Sequence, residues 1–163
     1  MTVLTVTATE RYEPTGGSTG FGGGGVKSRV ATTELAAADS ASTVTFFRIP
    51  SNARILGASK LYNDDLATSG SPTLDLGLFP TYTGQFTADD DALHTGVALS
   101  TASTANSGMQ IVTDYANLGK RAWEYISGQT ADPKGELIVK GTVRAAATTA
   151  TGTITLELLY EVD

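Results

Sequence analysis

Few residues in this sequence could act in acid–base or nucleophilic chemistry. His94 is the single histidine, and cysteine is absent, which excludes thiolate nucleophiles, thiolate metal sites and disulfides. A catalytic triad would need His94 beside a serine and an aspartate, but both residue types are so abundant here that their presence carries no information. We therefore interpret His94 as a surface residue, and the sequence predicts no catalytic site.

Two acidic runs could in principle bind a metal ion, Asp64-Asp65 and Asp89-Asp90-Asp91. Calcium-binding EF-hand loops take their ligands at alternate positions, whereas these acids are consecutive. Because adjacent side chains diverge, we predict that no metal ion and no cofactor is bound. Acids after Thr87 are typical of a capped first helical turn, so residues 87–94 are interpreted as a helical turn.

A glycine-rich run before Lys27 and Ser28 superficially resembles a phosphate-binding loop. That motif requires glycine directly before the lysine, and Val26 stands in that position. The run is also not placed between a strand and a helix, so we discard a nucleotide-binding function.

Aromatic side chains provide one further candidate chemistry, the stacking of a sugar ring. Trp123, Tyr62 or Tyr82 could line a carbohydrate-binding groove. Trp123 and Tyr125 stand at alternate positions of a predicted strand, however, where aromatic residues more often belong to a core. Carbohydrate binding therefore stays an alternative function.

The composition favours one all-β domain that is stable without disulfide bonds. The chain has 163 residues, only 17% of them charged, and small neutral residues, including 18 glycines, replace the missing charge. Threonine favours strands, glycine and serine favour turns, and strong helix formers are scarce. The N-terminus lacks the basic start and long apolar run of a secretory signal.

The charge indicates which partners the protein avoids. The formal net charge is −6 and the isoelectric point is about 4.7. The cationic side chains are scattered along the chain rather than collected in a basic stretch. An acidic surface repels nucleic acids and anionic membranes, so we predict neither as a partner.

The N-terminal region differs from the rest of the chain. Residues 2–9 read as a short apolar strand, and seven of the ten residues 16–25 are glycine, which is typical of a flexible tether. We therefore predict an extended arm over residues 1–30 and a β-sandwich domain over residues 31–163, with a disordered tail as the alternative. The residues predicted to bind a partner by strand addition are Thr2, Val3, Leu4, Thr5, Val6, Thr7 and Ala8.

Alternating apolar residues and turn signals predict the strands of the body. The predicted strands are 43–49, 54–62, 74–79, 121–126, 136–144 and 153–162. Their number and spacing are typical of a β-sandwich or a barrel, and we predict an antiparallel β-sandwich. The predicted core consists of Phe46, Ile49, Ile55, Leu76, Leu78, Trp123, Val139, Leu156 and Leu158.

The order of several motifs resembles that of a family of virion proteins. The motifs are Thr43 to Gly57 with its Ile-Pro turn, Leu61 to Leu66, Leu74 to Leu78, Trp123-Glu124 with Asp132 to Val139, and Ala150 to Leu156. Over residues 40–163 this order resembles the capsid cement, or decoration, proteins of tailed bacteriophages, which implies a jelly-roll-like body. The glycine-rich N-terminal region lies outside the resemblance.

The resemblance implies a structural, non-enzymatic role. It implies binding to the outer surface of a phage capsid, with the major capsid protein and neighbouring copies of the same chain as partners. A homo-oligomer is expected, with a trimer favoured and a dimer possible. The alternative is another phage structural protein, such as a tail, neck or head-fibre component.

Overall fold

Strand-forming segments dominate the fold, as the threonine-rich composition predicts. The computed structural model describes residues 3–11, 25–103, 109–111 and 115–162. In chain order the strands are β1 (Thr5–Thr7), β2 (Thr9–Arg11), β3 (Lys27–Ala36), β4 (Thr43–Pro50), β5 (Arg54–Ile55), β6 (Lys60–Asn63), β7 (Thr73–Pro80), β8 (Asp89–Ala98), β9 (Met109–Gln110), β10 (Glu136–Arg144) and β11 (Thr151–Glu161). Two short 3-10 helices, Tyr115–Asn117 and Ala122–Tyr125, are the only helices in these ranges. None of the helices found there is long and apolar enough to cross a membrane.

The strands form two sheets, which confirms the predicted β-sandwich. Sheet A has the order β1-β4-β10-β7-β8, and sheet B has the order β2-β3-β11-β6-β9, with β5 pairing beside β6 on β11. All pairs are antiparallel except β1 with β4. Leaving out β1, β2 and the short β5, four strands remain in each sheet and most successive strands alternate between sheets. This is the topology of a jelly roll.

The core lies between the two sheets and follows the predicted strand faces. In β11, alternate residues from Ile154 to Tyr160 are buried, and in β10 Leu137, Val139 and Val143 are buried. Eight of the nine predicted core residues are at most 2% exposed: Phe46, Ile49, Ile55, Leu76, Leu78, Val139, Leu156 and Leu158.

A β-bulge in β4 explains how two consecutive phenylalanines can both reach the core. Val139 of β10 pairs with Phe47, but the next residue, Lys140, pairs with Thr45. Phe46 is therefore an extra residue without a partner in the ladder. The bulge resets the alternation of side chains, so Phe46 and Phe47 are only 2% and 3% exposed.

The predicted helical turn over residues 87–94 is wrong, because Asp89–Ala98 is strand β8. Its ladder with β7 is irregular: Leu76 pairs with His94, and Leu78 pairs with Asp89. Between these pairs β7 advances by two residues while β8 advances by five. The acidic run thus lies in a bulged segment of the strand, where pairing with β7 keeps it in the sheet.

Two further expectations from the sequence need correction. Residues 122–125 form a 3-10 helix rather than a strand, so Trp123 is partly buried and not a core residue. The predicted strand 54–62 is interrupted by a turn, which separates β5 from β6. The two segments contact each other outside the sheets, since the backbone N–H groups of Ala122 and Trp123 donate to the carbonyls of Ala53 and Ser51.

Candidate partner interface

The predicted arm lies on the edges of both sheets of its own chain. Its first part, β1, pairs in parallel with β4, with Thr5 opposite Thr43 and Thr7 opposite Thr45. The backbone N–H of Ala8 donates to the carbonyl of Thr45 at 2.8 Å. The backbone N–H of Leu4 donates to the Ser42 hydroxyl at 2.9 Å.

The chain then passes from sheet A to sheet B. Strand β2 pairs antiparallel with β3, with Thr9 opposite Thr32. Between β1 and β2, Ala8 is only 6% exposed and belongs to the core. A small side chain at this position lets the backbone cross the open side of the sandwich.

Side-chain burial alternates along the arm, as in any strand with one covered face. Leu4 and Val6 are partly buried and pack against the core, whereas Thr5 and Thr7 are exposed and Val3 is 57% exposed. The arm binds the sheet edges through backbone hydrogen bonds, and strand addition to another chain would use the same kind of bond. Whether the arm pairs with its own chain or with another chain in an assembly stays a prediction. Thr2 and residues 12–24 lie outside the described residues.

A groove continues the β4 edge beyond the end of β1. It has a volume of about 420 Å³ and is bordered by Thr7 at the end of the arm, by Thr45 to Arg48 of β4, and by Arg29 and Glu136. The Arg48 guanidinium forms an exposed ion pair with Glu136 at 3.7 Å. The guanidinium of Arg29 donates a hydrogen bond to the backbone carbonyl of Arg48. Polar groups therefore surround the part of β4 that β1 does not cover.

The acidic run at the start of β8 forms a compact cluster. Asp89, Asp90 and Asp91 each place a carboxylate oxygen within 4.8 Å of the others. The expectation that these adjacent side chains diverge is therefore wrong, because this part of β8 is bulged and its side chains need not alternate between two faces. Arg144 forms ion pairs with Asp90 and with Asp75, the latter at 3.3 Å. A guanidinium thus already provides a positive charge beside these carboxylates.

Chelation should leave the stability of the protein unchanged. Arg144 neutralises part of the charge of the acidic cluster, so the carboxylates can lie together without a metal ion. The test is the melting temperature measured with and without EDTA. A large decrease with EDTA that added Ca²⁺ reverses would instead identify Asp89, Asp90 and Asp91 as a calcium site.

Replacing Asp91 by asparagine should raise the melting temperature at about pH 7. A hydrogen bond with Asp89, then burial, then the negative charges of Asp89 and Asp75 raise the pKa of Asp91 in the folded protein. A carboxyl with a higher pKa in the folded than in the unfolded state reduces stability above that folded pKa. An uncharged amide in place of the carboxylate removes this cost.

The pH dependence distinguishes this effect from a general effect of charge. At about pH 3, below the pKa of both states, wild type and Asp91→Asn should melt at more similar temperatures than at neutral pH. Glu34→Gln makes the same charge change at an exposed position of β3 and serves as the control. Equal stabilisation by both substitutions would contradict a specific effect of the cluster.

The other sequence candidates lie apart from one another. His94 is partly buried in β8, with its Nδ1 atom 3.1 Å from the carbonyl oxygen of Ile111. Tyr62 belongs to β6 of sheet B, Tyr82 follows β7 of sheet A and is 59% exposed, and Trp123 belongs to a 3-10 helix. The three aromatic residues proposed for sugar stacking therefore lie on three separate elements.

One pattern of hydrolase sequences occurs in the N-terminal region. Residues 16–20, Gly-Gly-Ser-Thr-Gly, match Gly-x-Ser-x-Gly, in which the serine lies between a strand and a helix. Four more glycines at 22–25 are unfavourable for the helix that would have to follow. The match lies outside the described residues and supports no catalytic role.

Comparison with known proteins supports the fold. No family model matches the sequence, and no curated protein matches it. A chain in the solved structure of the cyanophage Pam1 capsid asymmetric unit has a TM-score of 0.57 and 21% sequence identity. The alignment covers 90% of this chain and 91% of that chain. At this identity the likeness shows a shared fold over nearly the whole chain.

Proposed function

We propose that this protein is a structural component of a phage virion that binds the outer surface of the capsid and stabilises the shell. The observation that supports this most strongly is the shared fold with a chain of the Pam1 capsid asymmetric unit over 90% of the sequence. The order of sequence motifs, which resembles cement proteins, points to the same role independently. A structural role requires no catalytic site and no cofactor.

The charge supports a position on the outer face. Packaged DNA fills the interior of a phage head, and a protein with a net charge of −6 is repelled by it. The partners in this proposal are the major capsid protein and neighbouring copies of the chain. Many copies on one shell would add stability through multivalency, even where each single contact is weak.

The test of this function uses shells that lack the protein. Purified protein added to such shells should bind to saturation, appear on the outer surface by cryo-electron microscopy, and raise the temperature at which the shells open. Presence in virions at a few copies, without binding to shells, would favour the tail, neck or head-fibre alternative. Binding of the free protein to a glycan array, without binding to shells, would favour the carbohydrate-binding alternative.

In the assembled shell, the arm of residues 2–8 is proposed to pair with a neighbouring chain. Strand β1 covers only three residues of the β4 edge, and among the described residues of the arm only Leu4, Val6 and Ala8 pack in or against the core. Main-chain hydrogen bonds of the same kind can form with an equivalent edge of another copy. If β2 leaves β3 together with β1, the glycine-rich tether would allow the arm to reach an edge whose distance varies between sites.

A cross-linking experiment can identify the partner of the arm. The chain has no cysteine, so Thr5→Cys combined with Thr43→Cys places a unique pair of thiols at facing positions of β1 and β4. After treatment with a thiol-specific bifunctional reagent on assembled shells, cross-linked dimers or trimers are expected on a denaturing gel.

The matched control joins two strands within the body. Thr32→Cys with Thr155→Cys, at facing positions of β3 and β11, should give only cross-links within one chain. If the Thr5–Thr43 pair on shells also gives only cross-links within one chain, the arm does not exchange between copies.

A further inference from the structure

A cationic cleft lies beside the 3-10 helix Ala122–Tyr125, and no described residue of the arm lines it. It has a volume of about 370 Å³ and is lined by Arg54, Leu118, Gly119, Lys120, Arg121 and Glu124. Three of the eleven cationic residues of the chain thus line one cleft, and Glu124 is the one carboxylate among the described residues that line it. This local excess of positive charge contrasts with the net charge of −6 of the whole chain.

Hydrogen bonds to residues 117–119 hold two of the cations, Lys120 and Arg54, at the cleft. The Tyr125 hydroxyl donates to the carbonyl of Asn117 at 2.8 Å, and the Lys120 ammonium donates to the Asn117 side-chain oxygen at 2.7 Å. The guanidinium of Arg54 donates to the carbonyl of Gly119 at 3.0 Å. The positive groups are therefore positioned before a ligand binds, which lowers the entropic cost of binding.

A bridge between neighbouring segments fixes the spacing of the two arginines. Arg54 and Arg121 face each other across an isolated antiparallel β-bridge. The carboxylate of Glu124 accepts a hydrogen bond from the backbone N–H of Arg121 at 2.6 Å. That carboxylate is thus held at the backbone of its own helical turn.

The cleft also offers contacts suited to a ligand with both charged and apolar groups. An ammonium group has three N–H donors, and Asn117 accepts one of those of Lys120. Leu118 on the border of the cleft is 49% exposed, which is unusual for a leucine of this protein. Charge-assisted hydrogen bonds to carboxylates and a small apolar contact are therefore available side by side.

We propose that this cleft binds an acidic peptide segment of a protein partner. Carboxylates of the segment would bind Lys120, Arg54 and Arg121, and an apolar side chain would contact Leu118. A protein segment is favoured over a nucleic acid because the net charge of −6 of the chain repels a long polyanion, whereas a short acidic segment contacts only the cleft. The proposal depends on the geometry of the cleft and not on the capsid role proposed above.

The proposal is tested with the full-length protein and a short fluorescein-labelled oligoglutamate peptide. Fluorescence polarisation should show binding at low ionic strength that weakens as NaCl is raised from about 0.05 M to about 0.5 M. Lys120→Gln should weaken binding by about tenfold, since a charge-assisted hydrogen bond is lost. Arg54→Gln provides a second, independent variant in case one of them does not fold, as judged by its circular dichroism spectrum.

Matched controls decide the outcome. Lys134→Gln makes the same charge change at a side chain that is 85% exposed and does not line the cleft, so it should leave the affinity within about twofold. A short oligoglutamine peptide should not bind. Absence of oligoglutamate binding, equal weakening by all three substitutions, or tighter binding of a short oligothymidylate would each overturn the proposal.

Discussion

Replacing Leu156 by alanine should reduce the free energy of unfolding by about 2–5 kcal/mol. Leu156 lies in β11, the central strand of sheet B, where it pairs with Ala31 of β3 on one side and Leu61 of β6 on the other. All three residues are completely buried, so the surrounding side chains cannot easily fill the cavity that alanine would leave. Urea denaturation followed by circular dichroism measures the effect.

The control substitution makes the same change on the opposite face of the strand. Leu159 is only partly buried, so Leu159→Ala removes the same atoms from a position where less contact area is lost. The loss for Leu159→Ala should be clearly smaller than for Leu156→Ala. Equal losses, or a loss below about half a kcal/mol for Leu156→Ala, would show that the face of β11 packed in the core is assigned wrongly.

Replacing Gly77 by alanine should cost about 1–3 kcal/mol or more. A Cβ atom on Gly77 would lie 2.2 Å from the backbone oxygen of Asp89 and 2.4 Å from the backbone of Asp90. These atoms belong to the bulged start of β8, so the strand itself would have to move rather than a flexible side chain. The melting temperature and the hydrogen-exchange protection of the amides of β8 should both decrease.

Gly141 provides the control for this substitution, because it lies on the neighbouring strand β10. A Cβ atom there would lie 3.0 Å from the methyl groups of Leu74. This side chain can give way by a shift of a few tenths of an ångström. Gly141→Ala should therefore be less destabilising than Gly77→Ala. If both variants melt like the wild type, β8 does not approach Gly77 as closely as the structure shows.

The alternation of apolar residues was sufficient to predict β4, β7, β10 and β11, but it missed β3 (Lys27–Ala36), which pairs along its whole length with β11. In β10 and β11 every second residue is apolar, and burial of one face of a sheet requires this period. The same reasoning placed Phe46 and Ile49 of β4 and Leu76 and Leu78 of β7 in the core, where they lie. It could not foresee that Phe46 is an extra residue in the ladder, because the bulge arises from the pairing of Val139 and Lys140 on a distant strand.

Local patterns were misleading where tertiary pairing overrides them. Acids from Asp89 to Asp91 after Thr87 have the composition of a helix start, but pairing with β7 holds them in a bulged strand. Arg121 to Ile126 has the aromatic content of a strand, but the segment forms a 3-10 helical turn whose backbone bonds go to Ala53 and Ser51. Propensities of a few tenths of a kcal/mol per residue cannot compete with such long-range hydrogen bonds.

The sequence by itself determined the all-β class, the acidic charge, the absence of thiol chemistry and the apolar character of residues 2–8. These properties depend on composition and on a period of two residues, which are visible without knowing which strands are neighbours. Only the tertiary structure decided that the arm lies across both sheet edges and that Arg54 meets Lys120 and Arg121 in one cleft. Arg54 is separated by more than sixty residues from the other two, and contacts of that range are set by the packing of the whole sandwich, not by any local pattern of the chain.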